Sequence, residues 1–229
     1  MASCVNCPQF GKHAFCNLGQ ESRAFLEASS ITMEYTRGSL FFHEGDRCES
    51  IFVVCSGRVK LTATSKEGRS MILRIADAGD ILGVSAALSG SDYEVTAEAL
   101  EPCRVRVLQV KFLKHMLQQF GDASMGVAKA LAEDYRAAFD EAKLIGLSVS
   151  PTGRIARLIL DWSAEAMRKN SRTFVTMSLT HDEVASMTAT TRETVTRTLS
   201  RFRKEELIQV RGVSLTVLKP ATLERLSAC

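Results

Sequence analysis

The sequence predicts an α+β protein: an N-terminal antiparallel β-roll of jelly-roll type, one long helix, and a C-terminal winged helix-turn-helix. Three observations predict it. Between Ile31 and Val110 short apolar segments alternate with glycine-marked turns, and no helical crossover intervenes. From Ala123 to Leu147 apolar residues recur at steps of three and four. From Leu179 to Lys204 two short helical patterns flank a tight turn, and a hairpin pattern follows.

Taken in order, residues 1–20 form an arm bearing cysteines, 21–120 the roll, 121–147 the long helix and 148–229 the C-terminal domain. Within the roll, Ile51–Val54, Arg58–Thr62 and Met71–Ile75 suit short strands, with turns at Gly38, Gly45, Gly57, Gly68, Gly79, Gly83 and Gly90. In the long helix Ala128, Leu131, Tyr135, Ala138, Ala142 and Ile145 make one apolar stripe. That stripe could pack on its own roll. A dimer seam is the preferred reading, because the helix lies between two domains and is polar elsewhere.

Ser148–Pro151 breaks the helical pattern, with Ser150 placed to cap and Pro151 at a first helical position. A helix through Arg168 follows. Thr180 can then cap the next short helix, and Glu183 three residues on can reach back to the cap. Ala185 is small enough for a close helix crossing, and Val195 and Leu199 supply the buried face of the second helix. Arg192, Glu193, Thr196 and Arg197 are left at its start and on its outer face, where a helix that reads duplex DNA carries its side chains. Leu207–Val210, a turn at Arg211–Gly212 and Ser214–Leu218 complete a wing.

Charge supports the same division. From Ser148 onward 13 Lys/Arg stand against 8 Asp/Glu, a net of +5, whereas the preceding residues carry 16 against 18, a net of −2. A basic end joined to a slightly acidic remainder fits nucleic-acid binding by one end only, although a solvated helical face has the same signature. No apolar run marks a signal peptide and none is long enough to span a membrane, so a cytoplasmic protein with mostly reduced cysteines is expected. No nucleophile elbow, phosphate loop or zinc-hydrolase motif is present, so catalysis is not expected.

Arg192 to Arg197, read as Arg-Glu-Thr-Val-Thr-Arg, with Leu199 and Arg201-Phe202 after it, resembles the recognition helix of the CRP/FNR family of bacterial transcription regulators. Gly38 to Gly45 and Ile51 to Lys60 resemble that family's β-roll segments, and the resemblance covers nearly the whole chain. It implies a homodimer on a palindromic double-stranded DNA site, acting with RNA polymerase. Arg192, Glu193 and Arg197 match the recognition residues of the cAMP receptor, which implies TGTGA-like half-sites. A guanidinium can fork onto guanine O6 and N7, and a carboxylate accepts from cytosine N4. Thr196 stands where the cAMP receptor has Gly and resembles the Ser of FNR, so a mixed half-site is open. Thr180, Thr191, Arg201 and Lys204 complete the DNA-facing set, the last three as phosphate contacts that position without specifying. One departure lies in the helix-turn-helix turn: Ala189 stands where the family has Gly, and a left-handed backbone there costs Ala about 1 kcal/mol.

The effector is less determined. Family members that bind cyclic nucleotide use a Gly-Glu pair for the ribose and an Arg-Ser or Arg-Thr pair for the phosphate. Here Val84 follows Gly83, no Arg lies between Gly83 and Thr96, and Asp92 and Glu94 would repel a phosphate, which argues against cAMP. Cys4, Cys7 and Cys16 are spaced C-x2-C-x8-C and could supply three thiolates to an iron–sulfur cluster. FNR-type regulators hold an oxygen-labile 4Fe-4S cluster with such an arm and one central cysteine. Cys48, Cys55 and Cys103 are the candidates for the fourth ligand, with Cys103 preferred, although the family's central cysteine aligns near Arg106. Zinc on Cys4, Cys7 and Cys16 closed by another Cys or His13, a Cys7–Cys16 redox switch, and inert thiols remain open. So does a clusterless regulator answering to a small ligand or to none. Cys48 and Cys229 carry no motif, and structural or capping roles are expected of His43, His115 and His181.

Overall fold

The computed structural model describes residues 11, 13–68, 70–147, 150–170, 174–176, 179–212 and 214–228. Cys4, Cys7 and Cys229 lie outside the described residues. The chain divides into two units, Met1–Ala138 and Phe139–Cys229.

The first unit carries α1 (Gln20–Ser29), β1 (Ser30–Tyr35), β2 (Leu40–Phe42), β3 (Ser50–Ser56), β4 (Val59–Thr64), β5 (Ser70–Ala76), β6 (Ile81–Leu82), α2 (Val84–Ser89), β7 (Thr96–Ala99), β8 (Cys103–Gln109) and α3 (Val110–Gln119). α4 (Gly121–Leu147) starts in this unit and runs past its boundary. The strands form two four-stranded antiparallel sheets, ordered β1-β8-β3-β6 and β2-β7-β4-β5. This is the predicted β-roll. The seven glycines expected at its turns all have positive φ. Gly57 is held to glycine twice over: its φ is +88°, and a Cβ there would come within 2.6 Å of both Cys103 Sγ and the Pro102 carbonyl oxygen.

Strand periodicity makes two cores out of one strand. Phe52 and Val54 of β3 join Phe42, Val59, Tyr93, Ala97, Cys103 and Val105 inside the roll. Ile51 and Val53 face the other way, into a core with Phe15, Leu18, Leu26, Leu113, Met116, Ala123 and Val127. That outer core unites the arm, α1, α3 and the first turns of α4. Asp122 adds a polar clasp, its Oδ2 accepting from Gly19 N at 2.7 Å and Ser22 Oγ at 2.5 Å. The Ser22 hydroxyl first and the Gly19 N–H second hold this carboxyl below its ordinary range.

α4 meets the roll with Ala123 and Val127, which are 0% and 2% exposed. The predicted stripe is divided: Leu131 packs against this same core, whereas Ala128, Tyr135, Ala138 and Ala142 are exposed, Tyr135 by 73%, and the Ile145 side chain lies outside the described residues. Phe139, beside the stripe, is 51% exposed.

The second unit holds α5 (Pro151–Asn170), β9 (Phe174–Thr176), α6 (His181–Met187), α7 (Arg192–Lys204), β10 (Ile208–Arg211), β11 (Ser214–Val217) and α8 (Pro220–Ser227). Ser150 caps α5 as predicted, its Oγ accepting from Gly153 N at 3.0 Å. Ile155, Ile159, Val195, Phe202, Leu215 and Leu223 are fully buried. The wing is a three-stranded sheet, β10-β11-β9, rather than the predicted hairpin alone, because Phe174–Thr176 pairs with the outer edge of β11. Among the described residues no helix is long and apolar enough to cross a membrane.

Candidate nucleic-acid interface and sensor region

The interface is built by its caps. Thr180 and Glu183 form the reciprocal box: Glu183 N donates to Thr180 Oγ1 at 3.2 Å, and Thr180 N donates to Glu183 Oε2 at 2.7 Å. Thr191 caps α7 by accepting from Thr194 N at 3.2 Å. Between the helices Ala189 takes φ +45°, as its replacement of Gly predicts. Arg154, from α5, clamps this turn: Nε donates to the Thr188 carbonyl at 2.7 Å and an Nη donates to the Ala189 carbonyl at 3.1 Å. No local sequence signal pointed to Arg154, because its partners lie a whole helix and more away.

With Val195, Thr198, Leu199 and Phe202 buried, α7 has one face committed to the core. Thr180, Thr191, Arg192, Glu193, Thr196, Arg197, Arg201 and Lys204 are all exposed. The charged ones pair locally, Arg192 with Asp182 at 3.6 Å, Arg197 with Glu193, and Arg201 with Glu205 at 3.8 Å. Exposed pairs of this kind are worth about 0–1 kcal/mol, so they can exchange for bases or phosphates at little cost. His181, for which a structural or capping role is expected, lies against the recognition helix, its Nδ1 2.9 Å from Thr196 Oγ1.

In the roll, α2 turns its apolar side chains inward. Val84, Ala86 and Ala87 of α2 are buried, divided between the two cores. Tyr93 stacks on Phe42 with centroids 3.8 Å apart, and its hydroxyl donates to the Ser50 carbonyl at 2.6 Å. Burial pushes that phenol well above its ordinary pKa. Glu94 is exposed and accepts from Ser85 Oγ at 3.2 Å.

The choice of Cys103 as a fourth cluster ligand is not sustained. Cys103 is 3% exposed inside the roll, whereas Phe15, beside Cys16, packs in the core on the opposite face of the same sheet. Its Sγ contacts the carbonyls of Glu101 at 3.1 Å and Arg58 at 3.3 Å, which a thiol does as a donor and a thiolate ligand cannot. Burial, then the Glu101 charge, also pushes its pKa up. Cys16 and Cys55 are half-buried, as is Cys48, whose thiol is likewise raised by burial. Among the described residues no group of three or more His, Cys, Asp or Glu is arranged to hold a metal ion.

Where the arm meets α4, a small cleft is lined by His13, Phe15, Arg74, Asp80, Glu133 and Asp134. Arg74 bridges Asp80 at 3.3 Å and Asp134 at 2.7 Å. Burial raises the Asp134 carboxyl, opposed by the Arg74 charge.

Comparison with known proteins agrees with this geometry. Residues 32–120 match the cyclic nucleotide-binding domain, and residues 153–226 match the Crp-like helix-turn-helix domain. The cAMP-activated global transcriptional regulator Vfr of Pseudomonas aeruginosa is 25% identical over 187 residues, covering 80% of this chain and 87% of Vfr. A CRP-family transcriptional regulator from Thermus thermophilus superposes with a TM-score of 0.70 at 27% identity, covering 86% of this chain and 97% of that one. FixK2 from Bradyrhizobium japonicum shares the fold at 20% identity, with a TM-score of 0.77 over 87% of this chain and 98% of its own. A roll of the nucleotide-sensing type combined with a winged helix defines a DNA-binding transcription regulator, not an enzyme. The chain belongs to the CRP/FNR family.

Proposed function

We propose that the chain acts as a homodimer on a palindromic site with TGTGA-like half-sites, and that its signal enters through the N-terminal arm rather than as a cyclic nucleotide. The observation that carries the first part is α7 itself: a capped, clamped helix whose outward set is Arg192, Glu193, Thr196 and Arg197. Arg192 and Arg197 suit guanine, and Glu193 suits cytosine. Thr180, Thr191, Arg201 and Lys204 serve the phosphates. The exposed stripe of α4, with Tyr135 and Phe139, supports the dimer, since apolar residues at this spacing gain most by packing on a second helix. In this reading residues 1–20, 21–120, 121–147 and 148–229 are arm, roll, dimer helix and DNA-binding domain, and RNA polymerase is the downstream partner.

The signal reading rests on Phe15 and Leu18, which share one core with Ala123 and Val127 of α4. A change at the neighbouring Cys16 therefore bears on the helix that would set the spacing of two recognition helices. Cyclic AMP is disfavoured because Val84 is a core residue and Asp92 and Glu94 carry the wrong charge. A 4Fe-4S cluster on Cys4, Cys7 and Cys16 would need a fourth ligand other than Cys103.

The test is base preference on duplexes with randomised half-sites. Arg192→Ala is expected to lose about 1–3 kcal/mol of discrimination at one base pair of each half-site. Unchanged preference would remove α7 as the reader. For the signal, iron and acid-labile sulfide are measured on protein purified without oxygen, and DNA affinity is compared before and after thiol oxidation. A protein free of iron whose affinity ignores oxidation would end the arm reading.

A further inference from the structure

Thr196 has one hydroxyl proton, and the structure commits it. Its Oγ1 lies 2.9 Å from the Arg192 carbonyl oxygen, which can only accept. The same Oγ1 lies 2.9 Å from His181 Nδ1. Both contacts are hydrogen bonds only when Nδ1 carries a ring proton and donates to Thr196. In the other neutral tautomer Nδ1 and the carbonyl would compete for the single hydroxyl proton, and one contact would be lost. The neutral ring is therefore held as Nδ1–H, which leaves Nε2 a bare acceptor on the far side of the imidazole. No hydrogen bond to Nε2 is found among the described residues.

The consequence concerns which side chain reads DNA. Thr196 is exposed on the outer face of α7, between Arg192 and Arg197, yet its proton is already spent within the protein. The imidazole bonded to it is only half-buried. The charged groups around it are already engaged, Asp182 with Arg192, Glu183 with its own cap, and Glu193 with Arg197. Resting on the reading of α7 as the recognition helix, we propose that His181 is a base-reading residue whose Nε2 accepts from an exocyclic amino group, cytosine N4 or adenine N6, in the major groove. Thr196 is then a positioning residue that fixes the tautomer and the ring plane.

The experiment measures base preference of the full chain on duplexes with randomised half-sites, for His181→Ala, His181→Asn, Thr196→Val and Arg192→Ala. His181→Ala and His181→Asn should each lose about tenfold discrimination at one base pair per half-site, with the salt dependence unchanged. Asparagine is an informative replacement, because its amide N–H can still donate to Thr196 while its acceptor, Oδ1, branches from the same carbon and falls short of where Nε2 stands. Thr196→Val should weaken the same preference and add nothing in combination with His181→Ala. Preference retained by both His181→Ala and His181→Asn would make the histidine structural only and overturn the proposal. So would a uniform loss across sequences with a shallower salt slope, the mark of a phosphate contact. Arg192→Ala separates the two readings. If it loses preference at another base pair while His181→Ala loses none, the His181 proposal alone fails; if neither variant loses preference, the recognition-helix reading fails with it.

Discussion

α2 and α7 are both helices entered past a left-handed residue, Gly83 at φ +79° and Ala189 at φ +45°, yet they use their side chains in opposite ways. α2 turns Val84, Ala86 and Ala87 into the two cores of the roll. α7 buries one face and leaves Arg192, Glu193, Thr196 and Arg197 to solvent. The difference teaches how one kind of helix entry serves two ends. Side chains with no packing duty remain available to a partner. A side chain absorbed into a core cannot be exchanged for a charged one without cost.

The largest effect tests that last statement. Val84→Glu would restore the carboxylate that nucleotide-binding relatives use, at a position 2% exposed. Burying a carboxylate there should cost the first unit about 3 kcal/mol or more, read as a drop in the denaturation midpoint, with no gain in cAMP affinity. A loss below about 1 kcal/mol, or measurable cAMP binding, would break the comparison, because it would show that position 84 is not committed to packing.

Next comes the support beneath the α6–α7 turn. Arg154→Met keeps the aliphatic stem but removes both donors from the carbonyls of Thr188 and Ala189. Thr188 is fully buried, so its carbonyl has little water to turn to. Hydrogen bonds from a charged donor are worth about 1.5–3 kcal/mol each at most, and a loss of about 2 kcal/mol from the second unit is expected. DNA affinity should fall for every sequence alike while base preference is kept, because Arg154 holds the helices and reads nothing. A change of preference at one base pair would instead make Arg154 part of the reading surface.

These outcomes follow the grain of what could be read in the chain. The Thr180–Glu183 box, the Ser150 cap, the glycine turns and the buried face of α7 were legible because each depends on residues within a turn or two of one another. The inward position of Cys103 was also within reach: it alternates with Val105 and Val107, so strand periodicity alone sets it on the inner face. The contact of His181 with Thr196 has no local signal, because the two lie 15 residues apart across a helix crossing. Arg154 was missed for the same reason at 34 and 35 residues. α1, α3 and α8 are short and carry no capping signal. None of the three has a side-chain N-cap, and their buried positions are few, such as Ser22 and Leu26 in α1 and Leu223 in α8.

The smallest expected effect sharpens the comparison at the turn itself. Gly83 holds its left-handed conformation as glycine, whereas Ala189 does so with a Cβ. A left-handed alanine costs about 1 kcal/mol or somewhat more. Replacing it by glycine removes that strain but gives the unfolded chain more freedom, which returns about 0.5–1 kcal/mol. Ala189 is exposed, so its methyl group brings no core packing to the balance. Both Arg154 contacts in the turn are to backbone carbonyls, which glycine retains. Ala189→Gly should therefore leave the second unit unchanged or stabilise it by up to about 1 kcal/mol, with DNA preference unaltered. Destabilisation would mean that the methyl group stiffens the turn by more than the left-handed backbone strains it, and the departure from glycine would then be a means of holding α7 against α6 rather than a tolerated defect.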